Sequence, residues 1–323
     1  MNKTNMRKTL RSVFKWILWV FLAQFVLINI SGVIYGYKLT HFYEPALSAA
    51  DEAPSRNVFI KTWRLFKGPA YRKITNEESP GFPYQTVQLL TKDSLSLAAW
   101  FIPIDSSKGT VILFHGLGGN KSNVLKQAYE FRYLGFNVML VDLRAHGMSN
   151  GNITTMGFRE SEDVKLAYEY VLKKGEKNII LYGISLGSVV IAKAFFDYNI
   201  APSRVILEIP FSNMKKLIGV RGRMIGFPEK PFGGFVTFWA SIEQGFNGFK
   251  QDTYKYAQKI NCPVLMQCGA TDIFASDKER DLIFKNIPTS EKKLVVYERA
   301  VHQPLLNADP LKWRQEVSEF VSK

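Results

Sequence analysis

Ser185 stands between Gly183 and Gly187 in the run Leu181-Tyr182-Gly183-Ile184-Ser185-Leu186-Gly187-Ser188. The apolar residues from Asn178 to Tyr182 read as a short buried strand, and Val189 to Phe196 read as a helix. A tight strand-to-helix turn leaves no space for a Cβ two residues either side of its apex, which accounts for both glycines. The same turn lifts the serine hydroxyl to the edge of a sheet and sets it at a helix N-terminus, where the partial charge is positive. A hydroxyl in that position suits nucleophilic attack on an acyl carbon. Such chemistry needs a base to take the proton, an acid to orient the base, and N–H donors to meet the oxyanion.

The chain has four histidines from which to draw a base. His41 follows a long apolar segment and is expected at a membrane interface. His115 and His146 lie in glycine-rich turns. His302, in Val301-His302-Gln303-Pro304-Leu305, follows the last apolar strand and precedes a final helix, which makes it the candidate base. Asp272 is the first carboxylate beyond the buried strand that ends at Cys268, and it is the candidate acid; Glu208, inside a strand, is its rival. The oxyanion donors are expected to be the backbone N–H of Leu186, the residue after the nucleophile, and that of Leu117 in the turn His115-Gly116-Leu117-Gly118-Gly119-Asn120. That turn carries no Lys-Ser/Thr at phosphate-loop spacing and no dinucleotide fingerprint.

These residues must be positioned by the elements around them. From Gln85 onward short apolar runs alternate with amphipathic stretches. Thr86–Leu90 and Leu95–Pro103 read as a hairpin with Lys92-Asp93-Ser94 at its turn. Strands are expected at Thr110–His115, Phe136–Asp142, Asn178–Tyr182, Arg204–Pro210, Pro263–Cys268 and Lys293–Tyr297. Helices are expected at Asn123–Tyr133, Glu160–Lys173, Lys278–Lys285 and Pro310–Val321. Alternation of this kind implies a mostly parallel sheet covered on both faces, with chemistry beyond the strands' C-terminal ends. Nearly fifty residues, Phe211 to Lys259, interrupt the rhythm and read as a small helical cap over the site.

A further stretch, Asp142-Leu143-Arg144-Ala145-His146-Gly147-Met148-Ser149-Asn150-Gly151, resembles the Asp-x-Arg-Gly-His-Gly-x-Ser-x-Gly turn of acylglycerol-lipase, lysophospholipase-like and serine-aminopeptidase-like proteins, with Ala145 in place of the usual Gly. With the serine turn, the glycine-rich turn and the order Ser185, Asp272, His302, it makes residues from about Thr86 to the C-terminus resemble the α/β-hydrolase superfamily. The resemblance implies eight core strands, a Ser-His-Asp triad, a structural role for His146, and no metal or organic cofactor. The expected reaction is hydrolysis of a carboxylic ester, with the aromatic-rich cap suggesting an apolar acyl group or lipid; an amide, peptide or thioester on the same triad is the alternative. A hydrolase-fold protein that binds a lipid or a partner without catalysis is the reading from another class.

The N-terminus has its own logic. Residues 1–15 are basic, and Trp16 to Tyr37 holds no charge over a length that spans a hydrocarbon core, with aromatic residues toward its ends. Basic residues precede the segment and few follow, so residues 1–15 are expected in the cytoplasm and the rest across the membrane. A cleaved signal peptide is the competing reading, but its apolar region is shorter and ends in small residues. Residues 38–84 read as a stalk or packing segment, and 85–323 as the catalytic domain with its cap at 211–259. The formal net charge is +14, of which about +8 remains beyond Lys38, and this suits an anionic membrane surface. No basic stripe with interleaved aromatics signals nucleic acid. Cys262 and Cys268, six apart and read as lying on one strand, are too distant to bridge and belong to no metal-ligand spacing.

Overall fold

The computed structural model describes residues 3–43, 57–69, 71–75 and 78–323. Residues 44–56, 70, 76 and 77 of the expected stalk lie outside the described residues. The chain opens with helix α1 (Lys3–Thr40), which continues past both ends of the uncharged run. Two short strands, β1 (Phe42–Tyr43) and β2 (Tyr71–Arg72), pair in parallel, and between them lies α2 (Val58–Lys67). Asn57 caps α2 by accepting from the N–H groups of Phe59 and Ile60.

The remaining elements then follow: β3 (Gln85–Leu90), β4 (Ser96–Ile102), β5 (Thr110–Phe114), α3 (Leu125–Tyr133), β6 (Asn137–Val141), α4 (Ser161–Lys173), β7 (Ile179–Ile184), α5 (Leu186–Asp197) and β8 (Arg204–Glu208). Three helices, α6 (Met214–Met224), α7 (Glu229–Gln244) and α8 (Thr253–Ala257), fill the long interval before β9 (Val264–Gly269). The chain closes with α9 (Asp277–Asn286), β10 (Lys292–Tyr297), α10 (Leu305–Ala308) and α11 (Pro310–Val321).

The eight strands β3–β10 form one sheet in the order β10-β9-β8-β7-β5-β6-β4-β3. Six of them, β5 to β10, run parallel, and β4 is antiparallel to both β3 and β6. This is the mostly parallel sheet that the alternating pattern implied, with the eight strands that the resemblance implied. The central strands β5, β7 and β9 are buried along their whole length, so apolar residues dominate their sequences. Two hydrophobic clusters cover the two faces. One includes Leu181, Val190 and Met266; the other includes Tyr182, Phe131 and Trp313.

Among the described residues α1 is the one helix long and apolar enough to cross a membrane, from Thr9 to Thr40. Trp16, Phe21 and Phe25 on it are exposed. Its last ten residues behave differently: Ser31, Gly32, Tyr35, Gly36, Leu39 and Thr40 are buried. There α1 lies against α7 at very short range, because a Cβ at Gly36 would sit 2.9 Å from the backbone nitrogen of Ala240. His41 packs against the protein rather than standing free at the end of the apolar segment. It is buried, its ring stacks on Tyr37 at 3.8 Å, and its Nδ1 lies 2.6 Å from the Tyr37 carbonyl, because the helix end folds down onto the domain. The cysteines are free and buried, but Cys262 lies before β9 and only Cys268 within it.

Candidate active site

Because β5, β7, β9 and β10 run parallel, the loops after them emerge at one edge of the sheet. Ser185 follows β7 directly, with φ 53° and ψ −109°, a conformation that costs a side-chain-bearing residue on the order of 1–3 kcal/mol. The surroundings hold it there. Its N–H donates to the carbonyl of Glu208 at 2.8 Å. A Cβ at Gly183 would lie 2.4 Å from the carbonyl carbon of Gly187, and one at Gly187 would lie 2.2 Å from the carbonyl oxygen of Phe114. Only glycine permits β7, the turn and β5 to pack this closely.

His302 leaves the loop after β10, and Asp272 the loop after β9. The Oγ of Ser185 is 2.8 Å from Nε2 of His302, and Nδ1 of His302 is 2.7 Å from Oδ2 of Asp272. An Nδ1–H donating to the carboxylate leaves Nε2 free to accept from the serine hydroxyl. Asp272 is buried, and its Oδ1 accepts the N–H of Phe274 at 2.8 Å, which fixes the carboxylate plane. The Phe274 ring meets the imidazole edge-on at 4.9 Å between centroids. The two loops approach closely because Gly269 ends β9: a Cβ there would lie 2.2 Å from the carbonyl oxygen of Ala300.

Leu117 lines the cavity beside Ser185 and His302. Leu186 is the first residue of α5, so its N–H is among those the helix itself leaves unpaired. The cavity measures about 250 Å³, and Ile184, Ile209, Phe211, Leu217 and Phe274 give it a largely apolar wall. Phe211 and Leu217 come from the long interval between β8 and β9.

The remaining candidates are drawn into other work. Glu208, the rival acid, is fully buried. It accepts from Tyr182 Oη at 2.6 Å, from the Leu305 N–H at 2.6 Å and from Trp313 Nε1 at 2.9 Å, which ties β8 to the C-terminal helices. Burial pushes its carboxyl above the ordinary range. His115 donates from Nδ1 to the Gly116 carbonyl and accepts the Leu143 N–H at Nε2, and burial pulls it down to about 4. His146 donates from Nδ1 to the Arg144 carbonyl, and burial together with nearby His115 pulls it down to about 3. Both are neutral packing groups. The turn they occupy is held by Asp142, which accepts from Lys121 N and Nζ, each at 2.6 Å, and from the Met148 N–H. Arg144 pairs with Asp163 and Glu162 at the base of α4. Ala145, where the similar turns carry glycine, has φ 65°, the left-handed region in which glycine is unstrained.

Sequence reasoning passed over Phe274 and Arg221. Phe274 lies two residues after Asp272, the offset at which an aspartate captures a backbone N–H. Arg221 lies four residues after Leu217 and seven after Met214, so helical spacing alone sets it on the apolar face of α6.

Residues 105–230 match the family model described as "Serine aminopeptidase, S33". Protein bem46 of Schizosaccharomyces pombe is 24% identical over 253 residues, covering 74% of this chain and 77% of its own. An uncharacterized membrane protein of Saccharomyces cerevisiae is 29% identical over 154 residues, covering 46% of this chain and 53% of its own. Among solved structures, the Pyrococcus furiosus esterase Pf2001 superimposes with a TM-score of 0.66 at 23% identity, covering 77% of this chain and 96% of the esterase. The family match and these likenesses support hydrolase chemistry. By its eight-stranded sheet and its serine turn the chain has the α/β-hydrolase fold, and over residues 105–230 it is similar to the serine aminopeptidase family.

Proposed function

We propose that this protein is a membrane-anchored serine hydrolase that cleaves a carboxylic ester. The reading rests on one observation, the unbroken line of contacts from Ser185 Oγ through the imidazole of His302 to the carboxylate of Asp272. His302 takes the serine proton as Oγ attacks the acyl carbon. Asp272 holds the imidazole tautomer and stabilises the imidazolium that forms. The N–H groups of Leu117 and Leu186 receive the oxyanion, which needs donors already in place as the charge develops. His302 then protonates the leaving alcohol, and water, activated by the same imidazole, releases the acid from Ser185. No metal or organic cofactor enters these steps. The apolar cavity wall favours an apolar acyl or lipid chain, and Phe211 and Leu217 give the interval 211–259 its role as a cap.

An ester is favoured over other acyl bonds by the likeness to an esterase of known structure. Amide cleavage on the same triad is the second reading, favoured by the aminopeptidase description of the matching family. A panel of matched ester, thioester and aminoacyl-amide substrates separates them.

The uncharged part of α1 crosses the bilayer, with the basic residues before Trp16 in the cytoplasm and the catalytic domain on the other side. Because the end of α1 is packed on α7, the cap is held at the membrane surface. Ser185→Ala in the full chain is expected to lower hydrolysis of p-nitrophenyl butyrate by at least about 10³-fold and to abolish labelling by a fluorophosphonate probe. Full activity in that variant refutes the assignment.

A further inference from the structure

Arg221 projects from α6 into the wall of the same cavity as Ser185 and His302. Leu217, Phe211 and Ile209, which line the same cavity, are apolar. Among the described residues no carboxylate pairs with it. The acid nearest in sequence that serves this helix, Glu229, is engaged by Lys216 and Arg223. The guanidinium donates to the hydroxyl of Tyr71 and lies over that ring at 5.4 Å from its centroid. A guanidinium has five N–H donors, and no second acceptor for this one occurs among the described residues. Burial pulls the arginine below its ordinary pKa, with no carboxylate nearby to raise it.

A partly buried cation without a counter-charge is unfavourable, and an anion brought in beside it relieves that cost. The planar fork of arginine fits carboxylate and phosphate oxygens two at a time. A purely apolar substrate would instead leave the cation in the wall unpaired. We infer that Arg221 is the anion-binding group of the substrate cavity, and that the substrate is an ester carrying a carboxylate or phosphate. This rests on Ser185 being the nucleophile. The net charge of about +8 beyond Lys38 adds a long-range attraction for the same class of molecule.

The test uses the full chain in neutral detergent with two matched pairs. Mono-p-nitrophenyl succinate is compared with p-nitrophenyl butyrate, which places a carboxylate on the acyl side. Lysophosphatidic acid is compared with the monoacylglycerol of the same chain, which places a phosphate on the alcohol side. The anionic member of at least one pair is expected to be preferred by about tenfold or more in kcat/KM. Arg221→Gln should lose that preference, mainly through a raised KM for the anionic member of the pair. Arg221→Lys should keep part of it, because the charge survives and the fork does not. Fluorophosphonate labelling of Ser185 at the wild-type rate establishes that the variant sites are intact. The pair that responds identifies the anion. Absence of preference in both pairs, or a preference unchanged in Arg221→Gln, overturns the inference. Hydrolysis of every substrate that survives Ser185→Ala overturns the catalytic reading instead, and the two failures are therefore distinct.

Discussion

At the scale of single residues, two carboxyl groups at this end of the sheet have opposite environments. Asp272 faces an imidazole and one N–H, at a site open enough for the imidazole to remain 18% exposed. Glu208 is sealed among a phenol, an indole and a backbone N–H. Replacing Asp272 by Asn removes the acceptor that selects the His302 tautomer. It is expected to lower kcat by about 10³–10⁴-fold with KM little changed. Steady-state kinetics on a soluble ester decide this, and a loss below tenfold would assign the acid elsewhere. Glu208→Gln should do the reverse. Its amide N–H₂ turns donors toward donors, at a cost of about 1–3 kcal/mol in unfolding free energy, while kcat stays within a few-fold. Chemical denaturation set beside kinetics separates the two roles.

At the scale of elements, the packing of α1 on α7 is the least expected feature. Gly32 and Gly36, four apart, make a smooth strip along α1. At Gly36 the neighbour is backbone and cannot yield, whereas at Gly32 the nearest atoms belong to the rings of Phe235 and Trp239. Small residues at this spacing let two helix backbones approach closely. Gly36→Leu must push the helices apart and is expected to destabilise the domain by roughly 1–3 kcal/mol. The loss should appear as a lower melting temperature in detergent and faster proteolysis between α6 and α7. A variant as resistant as the parent would mean that α1 does not brace the cap.

At the scale of the whole molecule, two neutral imidazoles lie in the interior. His115 and His146 sit 5.1 Å apart, ring to ring, and burial holds them down to about 4 and about 3. In the unfolded chain both titrate near pH 6.5. Between about pH 6.5 and 4 the unfolded state therefore binds more protons, and stability falls as the pH falls. The slope is up to about 1.4 kcal/mol per pH unit for each histidine. Above about pH 7 neither contributes a slope. The histidine contribution to the urea midpoint should accordingly hold level above neutrality and decline below it, opposed over the same range by Asp163 and Glu243, whose carboxyls burial raises to about 7. His146→Asn, which keeps a donor for the Arg144 carbonyl, should flatten the decline by about half. An unchanged slope in that variant would show that these groups do not govern the acid sensitivity.

Much of this architecture was legible in the amino acids because burial leaves periodic marks. Strands covered on both faces wrote continuous apolar runs at Thr110–Phe114, Ile179–Ile184 and Val264–Gly269, and a turn with no space for a Cβ required Gly183 and Gly187. The order of Ser185, Asp272 and His302 along the chain was likewise open to reading, since loops after parallel strands share one edge. What needed three dimensions were the contacts between elements far apart in sequence. No local pattern separates an apolar helix that stands alone from one whose last turns bury Tyr35 and Leu39 against a helix two hundred residues later. Nor does a helical arginine announce whether its charge meets solvent or a cavity. Periodicity records which face of an element is covered, but not by what; only folding brings α6 over the sheet edge and turns Arg221 toward Ser185's pocket.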